Sequence, residues 1–423
     1  MEQEPTVFVG IDWASEEHQV CLIGPKAPVQ RAFAHGAEGL NAMVDWVLSH
    51  AENPQDVAVA IETPTGPVVE VFMDRGVAVF SINPKQLDRF RDRLSPAGAK
   101  DDRRDALVLG MSLRTDRHCF RRLEPLDPTI VELREWSRMY SELKEERNRL
   151  TNRVRQQLWR YYPQALELTD DLGADWVLDL LALAPTPAAA RRLTQNKVAK
   201  ILTAGRIRRI TPAEVLSLLQ VPGLTVADGT EQAATAHIAT VAERLRLVNR
   251  QLKEVVRRLD RLIASLPGRQ GAEPGEPQGQ PSEQRDATIL RSFPGVGRTV
   301  LATLLAEAHQ ALQCRDYHAL RTLCGVAPVT KRSGKSIRVE RRQACSHRLR
   351  EALYHWARVA TQHDPVSKAR YAALRARGHS HGRALRGVGD RLLAVACAML
   401  KNQSIFEPRE PKLAGTQPQI SPC

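Results

Sequence analysis

Short apolar runs and stretches of helical spacing alternate along the first 125 residues. The apolar runs that predict strands lie at 6–12, 18–23, 31–35, 57–62 and 77–82. Those at 6–12 and 57–62 are nearly continuous, which is typical of strands buried on both faces of a sheet. Apolar residues recur with helical spacing at 39–49 and 68–75. This order of strands and covering helices predicts an α/β domain.

Two longer stretches have heptad spacing instead. Apolar residues occupy heptad positions over 132–161, and they hold a strict a/d register through four heptads between Ile238 and Leu262. Such spacing predicts helices that pair as a coiled coil, either within the chain or between protomers. We expect the heptads at 238–262 to form a protomer contact.

A polar segment follows the second heptad stretch. Residues 267–286 are rich in Gly, Pro, Gln and Glu, which predicts a flexible linker. Residues 287–405 have mostly helical spacing, and the Pro-rich residues 406–423 are predicted to be disordered. The predicted fold class is therefore an α/β domain at 1–125, a helical coiled-coil region at 126–266 and a mostly helical domain at 287–405.

Charge adds a prediction about partners. The 61 Lys and Arg residues outnumber the 48 Asp and Glu residues, giving a formal net charge of +13. A polyanionic partner is expected, nucleic acid before membrane. Residues 188–210 contain seven bases and no acid. That segment is either a solvated face or a phosphate contact.

Several classes of protein are excluded. The seven cysteines are scattered without a C-x-x-C pair, which argues against a disulfide scaffold and a zinc ribbon. The acidic N-terminus lacks the apolar segment of a signal peptide. No apolar run reaches the roughly 18 residues of a membrane-spanning helix. We therefore expect a cytoplasmic protein without a membrane partner.

Four carboxylates are candidates for metal binding. Asp12 and Glu62 each end a predicted buried strand, where functional groups of α/β sheets gather. Asp102 and Asp105 share one face if a helix runs through them. Four converging acids would repel one another without a cation, and oxygen ligands suit Mg²⁺ or Mn²⁺. Each acid taken alone is more often a strand-end or capping group, whereas the order strand-Asp, strand-Glu, helix-Asp-x-x-Asp is much less expected by chance.

The segments that carry these acids resemble a known family. Val9-Gly10-Ile11-Asp12, Ala60-Ile61-Glu62, Asn83-Pro84 and the stretch Lys100-Asp101-Asp102-Arg103-Arg104-Asp105-Ala106 resemble the RuvC-like DEDD domain of insertion-sequence transposases, a group also known as bridge-RNA-guided recombinases. Asp101 stands where the family usually has Thr. The resemblance implies a ribonuclease-H/RuvC-like fold over 1–125. It also implies that Asp12, Glu62, Asp102 and Asp105 are catalytic and bind Mg²⁺ or Mn²⁺.

The C-terminal part resembles the same family. Residues 293–299, Phe-Pro-Gly-Val-Gly-Arg-Thr, resemble a helix-hairpin-helix turn whose glycines would let backbone amides approach a phosphate. Residues 323–335 resemble the family's Gly-x-Ala-Pro…Ser-Gly segment. This match implies a transposase domain at 287–405 with Ser333 as catalytic nucleophile, and Ser336 is the competing serine. The bases expected to bind nucleic acid around it are Lys331, Arg332, Lys335, Arg338, Arg341 and Arg342.

The resemblance implies a DNA transposase that works as a recombinase. It would excise and integrate an insertion sequence by metal-assisted strand cleavage and exchange through a serine–DNA intermediate. The implied partners are double-stranded donor and target DNA, a structured non-coding guide RNA, and further copies of the chain in a dimer or tetramer. Two alternatives remain open. One is a metal-dependent DNA junction endonuclease that uses water as nucleophile, and the other is a nucleic-acid-binding scaffold with a decayed site.

Overall fold

The computed structural model describes residues 4–94, 101–266, 282–334 and 336–408. The chain divides into two compact units, the N-terminal unit Met1–Leu126 and the C-terminal unit Asp127–Cys423. Within the described ranges, no helix is both long and apolar enough to cross a membrane. Lys335 lies outside these ranges, as do most of the predicted linker and most of the predicted tail.

The N-terminal unit contains a mixed sheet and four helices. The strands are β1 (Val7–Asp12), β2 (Glu17–Ile23), β3 (Val29–Ala34), β4 (Val57–Ile61), β5 (Ala78–Ser81) and β6 (Arg121–Arg122). The helices are α1 (Ala37–Leu48), α2 (Pro67–Asp74), α3 (Pro84–Leu94) and α4 (Asp102–Asp116). The five predicted strands and the two predicted helices are confirmed. Helix α3 and the short β6 were not predicted.

The sheet has the order β3-β2-β1-β4-β5-β6. Strand β2 is antiparallel to both of its neighbours, β1 and β3, while β4 is parallel to β1 and β5 is parallel to β4. Residues of β4 alternate between two cores: Val57, Val59 and Ile61 face α1 and α2, whereas Ala58 and Ala60 face α3 and α4. Both faces are covered, as the continuous apolar runs predict.

The C-terminal unit is mostly helical. Its helices are α5 (Pro128–Tyr161), α6 (Asp175–Leu183), α7 (Pro187–Ala190), α8 (Gln195–Ala204), α9 (Pro212–Leu219), α10 (Thr230–Ala264), α11 (Ser282–Arg291), α12 (Arg298–Glu307), α13 (His309–Gln313), α14 (Tyr317–Leu323), α15 (His347–His363), α16 (Pro365–Ala376) and α17 (His381–Asn402). A two-stranded hairpin, β7 (Val329–Ser333) and β8 (Ser336–Glu340), lies between α14 and α15. One hydrophobic core extends from α5 to α17.

The two heptad helices, α5 and α10, pair with each other inside this unit. Arg258 donates to Glu132 near one end, and Arg147 donates to Asn249 over 2.7 Å farther along, so the helices run antiparallel. Val241, Leu245, Val248, Val255 and Leu259 of α10 are buried in the chain's own core. The expectation of a protomer contact through these heptads is therefore corrected: the chain itself already covers this apolar face.

The helical C-terminal region extends slightly beyond the predicted 287–405. Residues 282–286, predicted as the end of the linker, form the start of α11, and Asp286 is buried in a bidentate ion pair with Arg315. At the other end, Phe406 stacks on Phe293 with ring centroids 4.8 Å apart. Packing thus orders residues whose composition alone predicts a linker or a tail.

Candidate active site

The sheet places Asp12 and Glu62 side by side. Asp12 is the last residue of β1, and Glu62 follows the last residue of β4. The two strands are parallel, with Ile11 paired to Ile61, so both acids emerge at the same edge. This is the carboxyl edge, where open α/β sheets present functional groups. Both side chains are partly buried.

Helix α4 brings the second pair of acids. It begins at Asp102, and Asp101 caps it by accepting a hydrogen bond from the Arg103 amide. Asp and Thr are both favoured caps, so Asp101 performs the local role that Thr would. Asp102 and Asp105 both lie in the first turn. Asp102 is exposed and Asp105 is buried.

A glycine in β1 sets the distance between strand and helix. A Cβ on Gly10 would lie 1.9 Å from the carbonyl oxygen of Ala106 and 2.4 Å from the amide nitrogen of Gly110. No side chain fits there, so α4 packs directly on the backbone of β1. The close contact is two residues before Asp12 and one after Asp105, and it therefore holds the acids of strand and helix together.

The negative charges of the other three acids act on Asp12. The pKa of Asp12 is raised to about 6, first by burial and then by the negative charges of Asp105, Asp102 and Glu62. Arg91 acts in the opposite direction and lowers it. The site therefore concentrates negative charge, and a bound cation would relieve this repulsion.

Arg91 on α3 is a member of the site that the sequence did not reveal. Its Nε donates to Asp105 Oδ1 over 2.5 Å and its Nη2 donates to Asp105 Oδ2 over 2.8 Å. Arg91 also pairs with Asp88 on its own helix. Pro84 at the start of α3 and the spacing of Leu87 and Phe90 are the signals that could have identified this helix. Nothing in the sequence pairs Arg91 with Asp105.

The donor set fits Mg²⁺ or Mn²⁺ in chemistry. Four carboxylates supply only oxygen ligands, and the raised pKa of Asp12 marks an unneutralised cluster. Among the described residues, however, no group of three His, Cys, Asp or Glu side chains is arranged to hold a metal ion. The bidentate pair with Arg91 occupies both oxygens of Asp105. Arg91 therefore supplies positive charge at Asp105, and a cation bound there would compete with Arg91 for these two oxygens.

Replacing Arg91 by Gln tests this competition. The substitution leaves buried Asp105 without its counter-ion, so the metal-free protein is expected to lose about 2–4 kcal/mol of stability. Because both Asp105 oxygens become available, added Mn²⁺ should raise the melting temperature more than it does in the unsubstituted protein. Thermal unfolding with and without Mn²⁺ measures both effects.

The matched control for that experiment is Arg93→Gln. Arg93 lies on the same helix and pairs with Asp116, but its side chain is 58% exposed, so its loss is expected to cost little. Equal stabilisation by Mn²⁺ in Arg91→Gln and in the unsubstituted protein would show that Arg91 does not compete with the cation for Asp105.

Ser333 lies at the tip of the β7–β8 hairpin in the C-terminal unit. It is the last residue of β7 and pairs directly with Ser336, the first residue of β8. Gly334 between them has φ +54°, the left-handed conformation of tight hairpin turns. Directly opposed residues of an antiparallel pair point to the same face, so the two serines share a face. Both are exposed, and the hairpin geometry does not distinguish between them.

The predicted bases near Ser333 differ in their partners. Glu340 pairs with Lys331 over 2.8 Å and with Arg338 over 3.1 Å, and these contacts lower its pKa. Arg342 donates to the Ala327 carbonyl. Arg332 is exposed. The pKa of Arg386 is lowered mainly by burial and further by the positive charge of Arg341, which therefore lies near it. The positive field around Ser333 is thus partly neutralised by Glu340. Lys335 lies outside the described residues.

The glycine-rich turn at 293–299 has a packing role. Gly295 has φ +89°, and a Cβ on it would lie 2.8 Å from the carbonyl oxygen of Trp356 in α15. This glycine therefore serves close packing of the turn on α15. Gly297 has open space around its Cα and precedes α12 as its cap. Arg298 pairs with Asp260 on α10.

Comparison with known proteins identifies the class. Residues 9–163 match the DEDD_Tnp_IS110 transposase family, and residues 287–372 match the transposase family IS116/IS110/IS902. The acids and Ser333 fall within these two ranges, and the class is that of DNA transposases.

Similarity over the whole chain places it within that class. A Streptomyces coelicolor protein named for the mini-circle element IS117 is 30% identical over 416 residues, covering 96% of each chain. The protein y4uE of Sinorhizobium fredii, named as a transposase, is 53% identical over 214 residues, covering 49% of this chain and 59% of its own length. A third relative, from insertion element IS110 of S. coelicolor, is 26% identical over 96% of each chain. The chain belongs to the IS116/IS110/IS902 family of transposases.

Proposed function

We propose that this transposase excises and integrates its element by metal-assisted cleavage and exchange of DNA strands, with a Ser333–DNA intermediate. The observation that carries the proposal is the gathering of Glu62, Asp102 and Asp105 around Asp12, whose raised pKa favours a bound cation. The strand order β3-β2-β1-β4-β5, with β4 parallel to β1 and β5 to β4, supports a ribonuclease-H/RuvC-like fold for this unit.

The residues divide the chemistry between them. Asp12, Glu62, Asp102 and Asp105 would hold Mg²⁺ or Mn²⁺, which when bound neutralises charge that develops on a phosphodiester. The Oγ atom of Ser333 would attack phosphorus and give up its proton to a base. A phosphorus–oxygen bond to one deoxyribose breaks, and the released oxygen takes up a proton. The reverse reaction with a different strand end completes the exchange.

The partners in this proposal follow from charge and from the family resemblance. Donor and target DNA are the substrates, and the formal net charge of +13 favours their binding. A structured guide RNA and a homo-oligomer are further parts of the proposal. In that assembly the carboxylates of one protomer would act with the serine of another.

A trapping experiment tests the proposal. The full-length chain is incubated with labelled donor and target DNA and with the non-coding RNA transcribed from the element, in Mg²⁺ or in EDTA. The expected product is a protein–DNA adduct on a denaturing gel, formed in Mg²⁺ and lost when the RNA is omitted. Strand cleavage without an adduct would favour the junction endonuclease. An adduct that forms equally without RNA would contradict the guide-RNA part alone.

A further inference from the structure

A long segment of the C-terminal unit carries positive charge without any acid. Between residues 180 and 213 the sequence contains seven bases and neither Asp nor Glu. The bases are Arg191, Arg192, Lys197, Lys200, Arg206, Arg208 and Arg209, and all are exposed. They lie on and around α8, which packs on the core through Val198 and Leu202. We refer to these seven residues as the α8 surface.

The bases of the α8 surface are not used to neutralise the protein's own acids. Elsewhere in this unit many arginines form ion pairs, such as Arg138 with Glu307, Arg147 with Asp171 and Arg315 with Asp286. In the part of the chain that the structure describes, no ion pair is found for any base of the α8 surface. Arg209 alone is anchored, by a hydrogen bond to Thr169 and by its position over the Trp176 ring. The charge is therefore available to a partner.

The charges lie on α8 and on the segments that directly flank it. Lys197 and Lys200 are three residues apart and share one side of α8, while Arg191 and Arg192 precede the helix and Arg206 and Arg208 follow it. A ten-residue helix is about 15 Å long. Double-stranded DNA carries about one negative charge per 1.7 Å of axis, so a duplex segment of that length has roughly nine phosphates on its two strands together. The segment 180–213 contains no aromatic residue on which unpaired bases could stack.

One base of the surface is held in a strained conformation. Arg206 has φ +53° directly after the last turn of α8, and its amide donates to the Thr203 carbonyl. This left-handed position normally favours glycine, because a Cβ there is crowded. Arg206 therefore keeps an exposed positive charge at a backbone position that favours glycine.

We propose that the α8 surface binds the phosphate backbone of double-stranded DNA, without reading its sequence, through residues other than the carboxylate cluster and Ser333. Duplex rather than single-stranded nucleic acid is favoured by the lack of aromatic residues, and DNA is favoured over duplex RNA because it is the substrate of this class of enzyme. The segment lies between the two ranges that match the transposase families, 9–163 and 287–372. The proposed contact therefore lies outside both matched ranges.

A charge-matched pair of variants tests the proposal. The α8 variant carries Arg192→Gln, Lys197→Gln, Lys200→Gln and Arg208→Gln. The control removes the same charge from exposed positions on α5 and α10, through Arg153→Gln, Arg160→Gln, Arg250→Gln and Arg257→Gln. Binding of the full-length protein to a duplex of arbitrary sequence is measured in EDTA over a range of salt concentrations, so neither metal nor strand cleavage affects the result.

Each lost phosphate contact reduces the slope of log K against log salt by about 0.9. The α8 variant is expected to lose up to about 3.6 from this slope and to bind at least about tenfold more weakly at low salt, whereas the control changes little. Equal losses of affinity and salt slope in both variants would show that only the net charge of the protein matters, and would overturn the proposal. Weaker binding to duplex RNA with unchanged binding to DNA would overturn the choice of partner.

Arg206→Gly separates binding from stability. Glycine accepts the left-handed backbone freely, so the melting temperature should stay the same or rise. The salt slope for DNA should nevertheless fall by about one. A glycine variant that binds DNA with an unchanged slope would show that Arg206 is only a strained helix end.

Discussion

Replacing Asp12 by Asn is expected to abolish strand cleavage while making the metal-free protein more stable at neutral pH. Asp12 ends β1 at the centre of the carboxylate cluster, and its amide replacement removes a ligand and one negative charge together. We expect at least about a thousandfold loss of activity, as for other groups that act as a unit at a catalytic centre. Effects of opposite sign on activity and on stability distinguish a functional acid from a structural one.

The sign of the stability change follows from the pKa. Because burial and three carboxylates raise the pKa of Asp12 from 3.8 to about 6, the folded state holds this proton more tightly than the unfolded chain does. The resulting stability is complete below about pH 4 and is lost as the pH rises through about 6. Two pKa units correspond to about 3 kcal/mol, and partial exposure of Asp12 reduces this to about 1 kcal/mol.

Thermal unfolding between pH 4 and pH 8, without metal and then with Mg²⁺, measures this effect. The unsubstituted protein should lose stability over this range, and Mg²⁺ should restore it mainly above pH 6, where Asp12 is ionised. In Asp12→Asn, both the loss of stability with rising pH and the stabilisation by Mg²⁺ above pH 6 should be smaller. Asp101→Asn is the matched control, since Asn also caps a helix and Asp101 only caps α4. If Asp12→Asn still cleaves DNA strands, the metal site is assigned wrongly.

The sequence predicts the sheet well because a strand buried on both faces appears in the sequence as a short continuous apolar run. Each of β1, β4 and β5 is a short apolar run, and the acids that end β1 and β4 are legible from position alone. It also predicts that Asp102 and Asp105 share a helix face. What it does not predict is Arg91, because a contact between two helices depends on the packing of α3 against α4 and leaves no periodic signal.

The heptad pattern likewise predicts which residues are buried but not which helix they pack against. Their register predicts the buried positions of α10 correctly, since Val241, Leu245 and Val248 are all in the core. The spacing is equally compatible with pairing inside the chain and between chains, and the structure pairs α10 with α5. Likewise the hairpin β7–β8 is almost entirely exposed. Only the short alternation of Ile337 and Val339 with polar residues in β8 marks it in the sequence, and no buried apolar run does.

Replacing Ser333 by Ala is expected to abolish the protein–DNA adduct completely, whereas Ser336→Ala should retain it. The two serines form an ideal matched pair: they oppose each other across the hairpin tip, point to the same face and are both exposed. Neither substitution leaves a buried group unsatisfied, so both variants should unfold within about 0.5 kcal/mol of the unsubstituted protein. A difference in adduct formation can then be assigned to the missing hydroxyl.

The outcomes separate three mechanisms. Loss of the adduct in Ser333→Ala alone supports Ser333 as the nucleophile. Loss in Ser336→Ala alone would assign the nucleophile to Ser336 on β8 instead. If Ser333→Ala still cuts DNA in Mg²⁺ at an undiminished rate, water is the nucleophile and the enzyme is a junction endonuclease. Ser333→Cys is a further test of Ser333 as the nucleophile, because a thiol at the same position is also a nucleophile. An adduct through sulfur would differ from the serine ester in chemical stability.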